Sequence, residues 1–254
     1  MDLGLKGQVA LVTGAGSQIG FGKEIALSLA REGCAAVGVT DINLDDAKLT
    51  CEAVKAEGAK SIAVKADVTN KEEVNAMVKE ITDELGDIDI LCNVAGAIMS
   101  GGPFEEQDTA VWEKEVALNL FSPMYVAAAV LPGMRKKGKG SIVNIGSGSS
   151  KMYIHGVGVY AQAKGALDVF TKQLAMAEAS NSIRVNCVAP GPAPTNFIKV
   201  PDKQAVIDML KKELPLGRAT SAQDIANATL FFASDVSIDI TGQVLHVSAG
   251  SVML

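Results

Sequence analysis

The sequence predicts an α/β fold with a single domain, in which helices cover both faces of a doubly wound parallel sheet of about seven strands. Three observations lead to this prediction. Short apolar runs alternate with amphipathic helical segments along the whole chain. The first apolar run ends in a glycine-rich turn that opens a helix. Glycines and polar residues follow most later runs, where parallel strands would end along one edge of the sheet.

The composition is that of a globular, core-forming protein, with 48% hydrophobic and 20% charged residues among 254. The net charge is −6, and the basic residues form no stripe, which argues against nucleic-acid binding. Four scattered cysteines without a C-x-x-C spacing indicate a reduced compartment. The two histidines, His155 and His246, have no ligand spacing between them, so we expect no metal site.

The chain reads as one undivided domain without internal repeats. No apolar run reaches 18 residues, and residues 1–6 lack a signal-peptide pattern, so we expect a soluble cytoplasmic protein without a membrane role. The composition changes at about residues 190–218, where proline-rich turns flank a short helix at 205–212. This insertion is expected to form a mobile lid over the ligand edge of the sheet.

The strands and helices can be placed by periodicity. The predicted strands are 8–13, 35–40, 61–65, 88–92, 141–145, 183–188 and 243–247. Helices are predicted between the glycine turn and Gly33, at 44–56, through 74–85, as two helices within 105–137 around Asn119, and from Tyr160 onward.

The first turn has the spacing of a phosphate-binding loop. It runs from Gly14 through Gly16 to Gly20 between a strand and a helix, an arrangement that points backbone N–H groups at a pyrophosphate. Asp41 follows 21 residues after Gly20, at the end of the second strand, where a carboxylate binds ribose hydroxyls and repels a 2′-phosphate. NAD is therefore favoured over NADP. Alternatively, Asp41 only caps the following helix, a role that Asn43 could also fill.

Tyr160 and Lys164 are four residues apart and project from one helix face. An ammonium group one turn away favours the phenolate, so the pair can act as a general acid/base near neutral pH. Ser147 lies thirteen residues upstream, after a strand, where its hydroxyl could bind a substrate oxygen. Tyrosine and lysine at this spacing are also common on surface helices, so the interpretation depends on the surrounding motifs.

Together, these motifs resemble the short-chain dehydrogenase/reductase family over about residues 5–250. The resemblance rests on Thr13-Gly14…Gly20, Asp67, Asn93-x-Ala95-Gly96, Asn119, Ser147, Tyr160-x-x-x-Lys164 and Arg184-Val185-Asn186…Pro190-Gly191. It implies a Rossmann-type fold and a nicotinamide dinucleotide cofactor.

The resemblance also implies a role for each matching residue. Tyr160 would be the general acid/base, Lys164 would lower its pKa and bind the nicotinamide ribose, and Ser147 would hold the substrate oxygen. Asn119 would support Lys164 through a water molecule. The other implied cofactor contacts are Gly14, Ser17, Gln18, Ile19, Gly20, Asp67, Val68, Asn93, Ala95, Gly96, Pro190, Gly191 and Thr195.

Several positions depart from the family pattern. Gln18 occupies the usual middle glycine of the turn, so we expect a locally changed turn or a side-chain contact to ribose or phosphate. Val94 replaces an asparagine, and Gly146 replaces a frequent serine before Ser147. Near the C-terminus, residues 248–250 replace the usual acidic residue and glycine pair. None of these changes removes a proton-transfer group.

The residues expected to face the substrate are mostly apolar or neutral, which suggests a moderately hydrophobic alcohol or carbonyl compound. They are Ala97, Ile98, Met99, Ser149, Met152, Tyr153, His155, Pro192 and the rest of 192–200. His155 could instead be a satisfied loop histidine.

Three functional hypotheses remain. The leading one is an NAD(H)-dependent enzyme that interconverts a secondary alcohol and a ketone, with 3-oxoacyl-thioester reduction as its alternative. The second is a dinucleotide-binding sensor or scaffold with little catalysis. A nucleotide-binding methyltransferase fits the first 45 residues but leaves Tyr160 and Lys164 unexplained. The resemblance also implies a homotetramer that buries the outer faces of helices at 105–137 and 158–180.

Overall fold

The computed structural model describes residues 2–152, 157–197 and 202–253. Within them, seven parallel strands form one sheet in the order β3-β2-β1-β4-β5-β6-β7, which confirms the predicted Rossmann-type architecture. The order reverses between β1 and β4, the switch point at which such sheets bind ligands. The strands are β1 Val9–Thr13, β2 Ala36–Asp41, β3 Lys60–Lys65, β4 Ile90–Asn93, β5 Gly140–Ile145, β6 Ile183–Pro190 and β7 Val244–Val247.

Helices cover both faces of this sheet. They are α1 Phe21–Arg31, α2 Leu44–Ala56, α3 Lys71–Leu85, α4 Thr109–Val116, α5 Ser122–Lys137, α6 Tyr160–Glu178, α7 Lys203–Glu213 and α8 Ala222–Ala233. Side chains alternate across each strand, so the two faces build separate cores. In β1, Ala10 and Val12 pack into the core that contains α1 and α8, whereas Leu11 packs into the core that contains α3 and α5.

Local capping explains where several helices begin. The Asn43 side chain accepts hydrogen bonds from the backbone N–H groups of Asp45 and Asp46 and so caps α2. Ser221 and Asp224 form a reciprocal capping box at the start of α8. We did not predict α8 from the sequence, although this Ser-x-x-Asp signal marks its beginning.

The predicted break near Asn119 takes an unexpected form. α4 and α5 form one continuous helical stretch that contains a π-helical turn, Ala117–Phe121. Pro123 lacks the N–H group that would donate to the Asn119 carbonyl in a regular α-helix, so the α-helical pattern cannot continue through this point. π-helical turns of this kind are frequent at functional sites.

The same 29-residue stretch, Thr109–Lys137, is long and apolar enough to cross a membrane by length and composition alone. This is weak support for a membrane span, because core helices pass the same test. Here α5 packs against α3 and against strands β4 and β5 of the sheet.

Candidate active site

The glycine turn after β1 is a tightly packed cradle. Gly14 has a φ of +62°, and a Cβ atom there would lie 2.6 Å from the Cα atom of Ala95. A Cβ atom on Gly22 would lie 2.4 Å from the carbonyl oxygen of Gly14. The turn therefore needs glycine at both positions to bring the start of α1 close to the ends of β1 and β4.

The turn also has free polar groups that suit a phosphate. Ser17 Oγ is buried and has no hydrogen-bond partner among the described residues. Gly20 precedes α1 without a side-chain cap, so the first N–H groups of this helix remain available to an anion. Ile19 is 53% exposed beside them. These features fit the pyrophosphate of a dinucleotide.

Gln18 is directed away from this cradle. Its Nε2 donates hydrogen bonds to the carbonyl oxygens of Gly16 (2.7 Å) and Asp46 (3.1 Å) and to Thr50 Oγ1 (3.3 Å). Its Oε1 accepts a 2.6 Å hydrogen bond from Lys23 Nζ. Thr50 Oγ1 in turn donates to the carbonyl oxygen of Ala15. Of the two expectations for Gln18, these bonds favour a locally changed turn, which the glutamine fastens to α2.

Asp41 lies at the end of β2, beside the same turn. Its carboxylate accepts hydrogen bonds from the backbone N–H groups of Gly16 (2.8 Å) and Asn43 (3.1 Å). Because Asn43 supplies the cap of α2, the alternative that Asp41 is the helix cap is wrong. Asp41 instead binds the backbone of the glycine turn at Gly16 and that of the segment before α2 at Asn43.

The carboxyl ends of β3 and β4 continue the groove. Asp67 Oδ1 accepts hydrogen bonds from the N–H and hydroxyl groups of Thr69, and Val68 is buried beside it. Asn93 Nδ2 donates to Asn144 Oδ1 at 2.9 Å, which links the ends of β4 and β5. Thr13 Oγ1 accepts from the N–H group of Ala95.

Asn119 and Gly96 meet next to Lys164. Asn119 is fully buried on the π-helical turn, and its Nδ2 donates to the carbonyl oxygens of Ala97 (2.8 Å) and Glu115 (2.9 Å). Its Oδ1 finds no partner in the described part of the chain. A Cβ atom on Gly96 would lie 2.8 Å from that Oδ1 and 3.4 Å from Lys164 Nζ, so glycine leaves room for both groups.

The structure brings Tyr160, Lys164 and Ser147 together. Tyr160 is the first residue of α6, and it lines the same cavity as Ser147. Lys164 Nζ lies 5.7 Å from the centre of the Tyr160 ring and donates a 2.8 Å hydrogen bond to the carbonyl oxygen of Ile145. Ser147 Oγ also accepts from the N–H (3.1 Å) and hydroxyl (2.8 Å) groups of Ser149.

Burial controls the ionisation of these groups. Burial raises the pKa of Tyr160 above its usual value, and the interaction with the Ser147 side chain opposes that shift. Burial also lowers the pKa of Lys164 to about 8, although Cys187 and Asp168 act in the opposite direction. The pKa of Tyr160 is therefore raised overall, whereas the sequence suggested that Lys164 would lower it. Both side chains are buried, and desolvation disfavours the charged form of each.

Tyr160 lines a cavity of about 250 Å³ with mainly apolar walls. The segment after β6 covers part of it, and the rings of Phe197 and Tyr160 have centroids 5.7 Å apart. The backbone N–H group of Asn196 donates to the carbonyl oxygen of Ile19 at 2.8 Å, which joins this segment to the glycine turn. Other lining residues include Ile98, Ile145, Ser149, Met152, Val157, Pro192 and Thr195.

Some expected substrate and cofactor residues lie elsewhere. Met99 is 45% exposed and does not line this cavity, since its backbone turns toward α4. By contrast, Pro190 and Gly191 do line the cavity; Pro190 ends β6, and the N–H group of Gly191 donates to the carbonyl oxygen of Val247. Tyr153, His155 and the 198–200 part of the lid fall outside the described residues.

Comparisons with known proteins agree with this geometry. A family model described as enoyl-(acyl carrier protein) reductase matches residues 14–251. The 7alpha-hydroxysteroid dehydrogenase of Escherichia coli is 34% identical over 99% of this chain and 96% of its own length. The 3-oxoacyl-(acyl-carrier-protein) reductase FabG of Vibrio cholerae is 38% identical over 99% of this chain and all of its own. A crystal structure of hydroxysteroid dehydrogenase from Escherichia coli matches with a TM-score of 0.84 and 34% identity, covering 98% of this chain and 99% of that one.

The chain belongs to the short-chain dehydrogenase/reductase family. It is therefore an oxidoreductase that uses a nicotinamide dinucleotide, as the resemblance implied. In this short-chain dehydrogenase/reductase, Ser17, the glycine turn and Asp41 lie together at the carboxyl ends of β1 and β2, and Lys164 lies at the end of β5. The relatives act on small molecules, and the cavity beside Tyr160 is of a size that suits such substrates.

The sequence interpretation of this dehydrogenase/reductase missed several residues of the site. Phe21 and Ser251 line the cavity although they lie at the start of α1 and near the C-terminus. Glu115 is fully buried on α4 beside Asn119. The sequence gives no local signal for these three, because only the packing of distant segments brings them to the site.

Proposed function

We propose that this enzyme interconverts a secondary alcohol and a ketone with NAD(H), and that Tyr160 is its general acid/base. The observation that carries the proposal is the convergence of the Tyr160 hydroxyl, the Ser147 hydroxyl and the Lys164 ammonium at an apolar cavity beside the glycine turn. A tyrosine placed in this way can donate a proton to a carbonyl oxygen or remove one from an alcohol.

The residues at the sheet edge fit a dinucleotide. Ser17, the N-terminus of α1 and Gly14 would hold the pyrophosphate, and Asp41 would face the adenosine ribose. Lys164 would meet the nicotinamide ribose, and Thr195 the carboxamide or pyrophosphate. The bound cofactor supplies or accepts the hydride.

The side chains of the protein would transfer the proton to or from the substrate oxygen. Because burial raises its pKa, Tyr160 keeps its proton at neutral pH in the free enzyme, which prepares it to act as an acid toward a ketone. Ser147 would hold the substrate oxygen within reach of the Tyr160 hydroxyl. Asn119 Oδ1, which lies near Lys164 and accepts no hydrogen bond from the described residues, would complete a proton relay through water.

NAD is the favoured cofactor because of the charge at the end of β2. The Asp41 carboxylate would accept hydrogen bonds from ribose hydroxyls and repel a 2′-phosphate. Lys23, the basic residue closest in sequence to the glycine turn, is already hydrogen-bonded to Gln18, so its ammonium is partly occupied.

The cavity suggests a moderately hydrophobic substrate. Its walls at Ile98, Met152, Val157 and Phe197 are apolar, which favours an apolar ligand over a highly polar one. Its volume of about 250 Å³ suits a small or medium-sized ligand. The similarity to 7alpha-hydroxysteroid dehydrogenase supports a cyclic secondary alcohol as the substrate of this enzyme, whereas the similarity to FabG supports a 3-oxoacyl thioester. The thioester remains the alternative substrate class.

A substrate panel tests the proposal. Purified enzyme would be assayed with NAD(H) and NADP(H) against apolar secondary alcohols, their ketones and a short 3-oxoacyl thioester, and cofactor absorbance would be followed. We expect turnover with the alcohol or ketone members and faster reaction with NAD(H). Cofactor binding measured by calorimetry without turnover on any member would instead support the sensor or scaffold alternative.

We also propose a cytoplasmic homotetramer in which residues 190–218 act as a substrate lid. Exposed apolar side chains on the outer faces of the π-helical turn, α5 and α6, among them Phe121, Met124, Val169 and Met176, support burial between subunits. Light scattering should give four times the monomer mass; a monomer mass would contradict this assembly.

A further inference from the structure

Glu115 is a buried carboxylate that the proposed chemistry leaves unexplained. It lies on α4 with no exposed surface. Its Oε1 accepts a 2.7 Å hydrogen bond from the backbone N–H group of Met99, and its Oε2 accepts from the N–H (3.3 Å) and hydroxyl groups of Ser100. A buried carboxylate is costly unless donors surround it, so this cluster ties the loop after β4 firmly to α4.

Ser100 extends the connection to the helix that carries Tyr160. While its hydroxyl donates to Glu115, its Oγ accepts a 3.1 Å hydrogen bond from the N–H group of Val159, the residue before Tyr160. Gly158 has a φ of +58°, and a Cβ atom there would lie 1.9 Å from Ser100 Oγ. The start of α6 therefore rests directly on Ser100.

The same turn of α4 also orients Asn119. The backbone carbonyl of Glu115 accepts a hydrogen bond from Asn119 Nδ2, which donates in addition to the carbonyl oxygen of Ala97. One helical turn thus contacts the loop at 97–100, the amide of Asn119 and, through Ser100, the residue that precedes Tyr160.

We propose that Glu115 is a positioning residue that, through Ser100, fixes Tyr160 relative to Asn119 and the wall of the substrate cavity. This inference rests on the proposed function, because it assigns the placement of the proposed acid/base. It names a residue that does not touch the substrate and acts only through others.

The charge of Glu115 affects the pKa of Tyr160, which gives the proposal a measurable consequence. Burial is the largest cause that raises the pKa of Tyr160, and the negative charge of Glu115 from α4 adds to it. Cys187 from β6 acts in the same direction only as a thiolate, and its own pKa is raised to about 12. From α6, Tyr160 is faced by Lys164, with Asp168 one turn further along. Removing the Glu115 charge should therefore lower the pKa of Tyr160.

The test compares Glu115→Gln with Glu113→Gln, a matched change at an exposed position on the same helix. Glutamine keeps the shape of the side chain, but it loses the charge and places an amide N–H₂ group against the donors of Ser100. We expect kcat for Glu115→Gln to fall about 10- to 100-fold, the scale for a misplaced reacting group, with KM for the cofactor unchanged. Alcohol oxidation requires deprotonated Tyr160, and its rate therefore increases with pH. In Glu115→Gln this increase in rate should occur at lower pH than in wild type.

A second readout does not depend on turnover. The chain has three tyrosines, so the absorbance titration of each protein minus that of its Tyr160→Phe counterpart isolates the Tyr160 phenolate. Within the pH range in which circular dichroism shows each protein folded, the phenolate absorbance should appear at lower pH in Glu115→Gln than in wild type, and at the wild-type pH in Glu113→Gln. If wild-type enzyme reacts with no member of the panel, the proposed function fails, while this titration still decides the role of Glu115.

Two results would overturn the inference: equal behaviour of the two variants, or a loss of kcat in Glu115→Gln with an unmoved Tyr160 titration, which marks a merely structural residue. Should Glu115→Gln not fold, Ser100→Ala keeps the carboxylate and its backbone donors but removes the acceptor for Val159. We expect kcat to fall several-fold in that variant with wild-type cofactor KM. Wild-type kcat in Ser100→Ala would overturn the inference as well.

Discussion

Lys164 Nζ donates a 2.8 Å hydrogen bond to the carbonyl oxygen of Ile145, the last residue of β5. This bond anchors the ammonium group to the end of a central strand, where Lys164 is only 4% exposed. Burial lowers its pKa from the ordinary value of 10.5 to about 8. Holding this charge at the site therefore costs folding free energy at neutral pH, and the cost depends on pH.

The first prediction concerns that cost. Between about pH 8 and 10.5 the unfolded chain keeps the Lys164 proton while the folded protein has lost it. Stability rises with pH wherever the unfolded state binds more protons, so this residue makes the protein more stable as the pH increases through that window. The unfolding free energy of wild type minus that of Lys164→Met should increase by about 1 kcal/mol between pH 7.5 and 9, since one pKa unit corresponds to about 1.4 kcal/mol.

Urea unfolding at several pH values measures this difference. Taking the difference removes the effect of buried thiols that do not interact with Lys164, such as Cys34, whose raised pKa lowers stability at high pH in both proteins. A difference that stays constant or decreases over this range would contradict a depressed pKa for Lys164.

The second prediction concerns cofactor choice. Asp41→Asn keeps an oxygen that can accept from the N–H group of Gly16, but it removes the charge that would repel a 2′-phosphate. The ratio of kcat/KM for NAD to that for NADP should fall at least about tenfold, equivalent to about 1.4 kcal/mol. Asp45→Asn, at an exposed position in the first turn of α2, is the matched control and should leave the ratio unchanged. If Asp41→Asn leaves it unchanged too, Asp41 does not select the cofactor.

The third prediction concerns the departure at Gln18. Its Nε2 group holds Gly16, Asp46 and Thr50, and its backbone φ is not positive, so glycine is not required at this position. Gln18→Gly should reduce the unfolding free energy by about 1–3 kcal/mol, the range for losing several partly buried hydrogen bonds.

Lys23→Met serves as the control for Gln18→Gly, because it removes only the contact at Oε1 and should cost clearly less. Denaturant unfolding of both variants gives the comparison. A Gln18→Gly protein as stable as wild type would show that the turn keeps its shape without the bridge to α2.

The positions of the strands along the chain could be predicted because the signal for them is local. Apolar runs and turns gave the strands to within a few residues, and the helix at Leu44–Ala56 has the predicted bounds. Tyr160 and Lys164 could be paired because helical spacing alone puts them on one face. The parallel connections then place the strand ends, and hence the Gly14 turn and Ser147, along one edge.

The rest depends on contacts between distant segments. The sequence did not reveal that Gln18 turns toward Thr50, that Glu115 binds the loop at Ser100, or that Phe197 lies against Tyr160. Nor did it reveal the direction of the Tyr160 pKa, since desolvation is set by everything packed around the hydroxyl rather than by Lys164 alone.

The most direct test of the account is the turnover of Tyr160→Phe with a substrate found in the panel. This change removes one hydroxyl group from a buried ring and leaves the glycine turn and Asp41 intact, so cofactor affinity measured by calorimetry should stay near wild type. We predict that kcat falls at least about 10²-fold, the low end for the loss of a general acid/base. A variant that binds the cofactor and retains turnover within a few-fold of wild type would contradict the assignment of Tyr160 as the proton-transfer group.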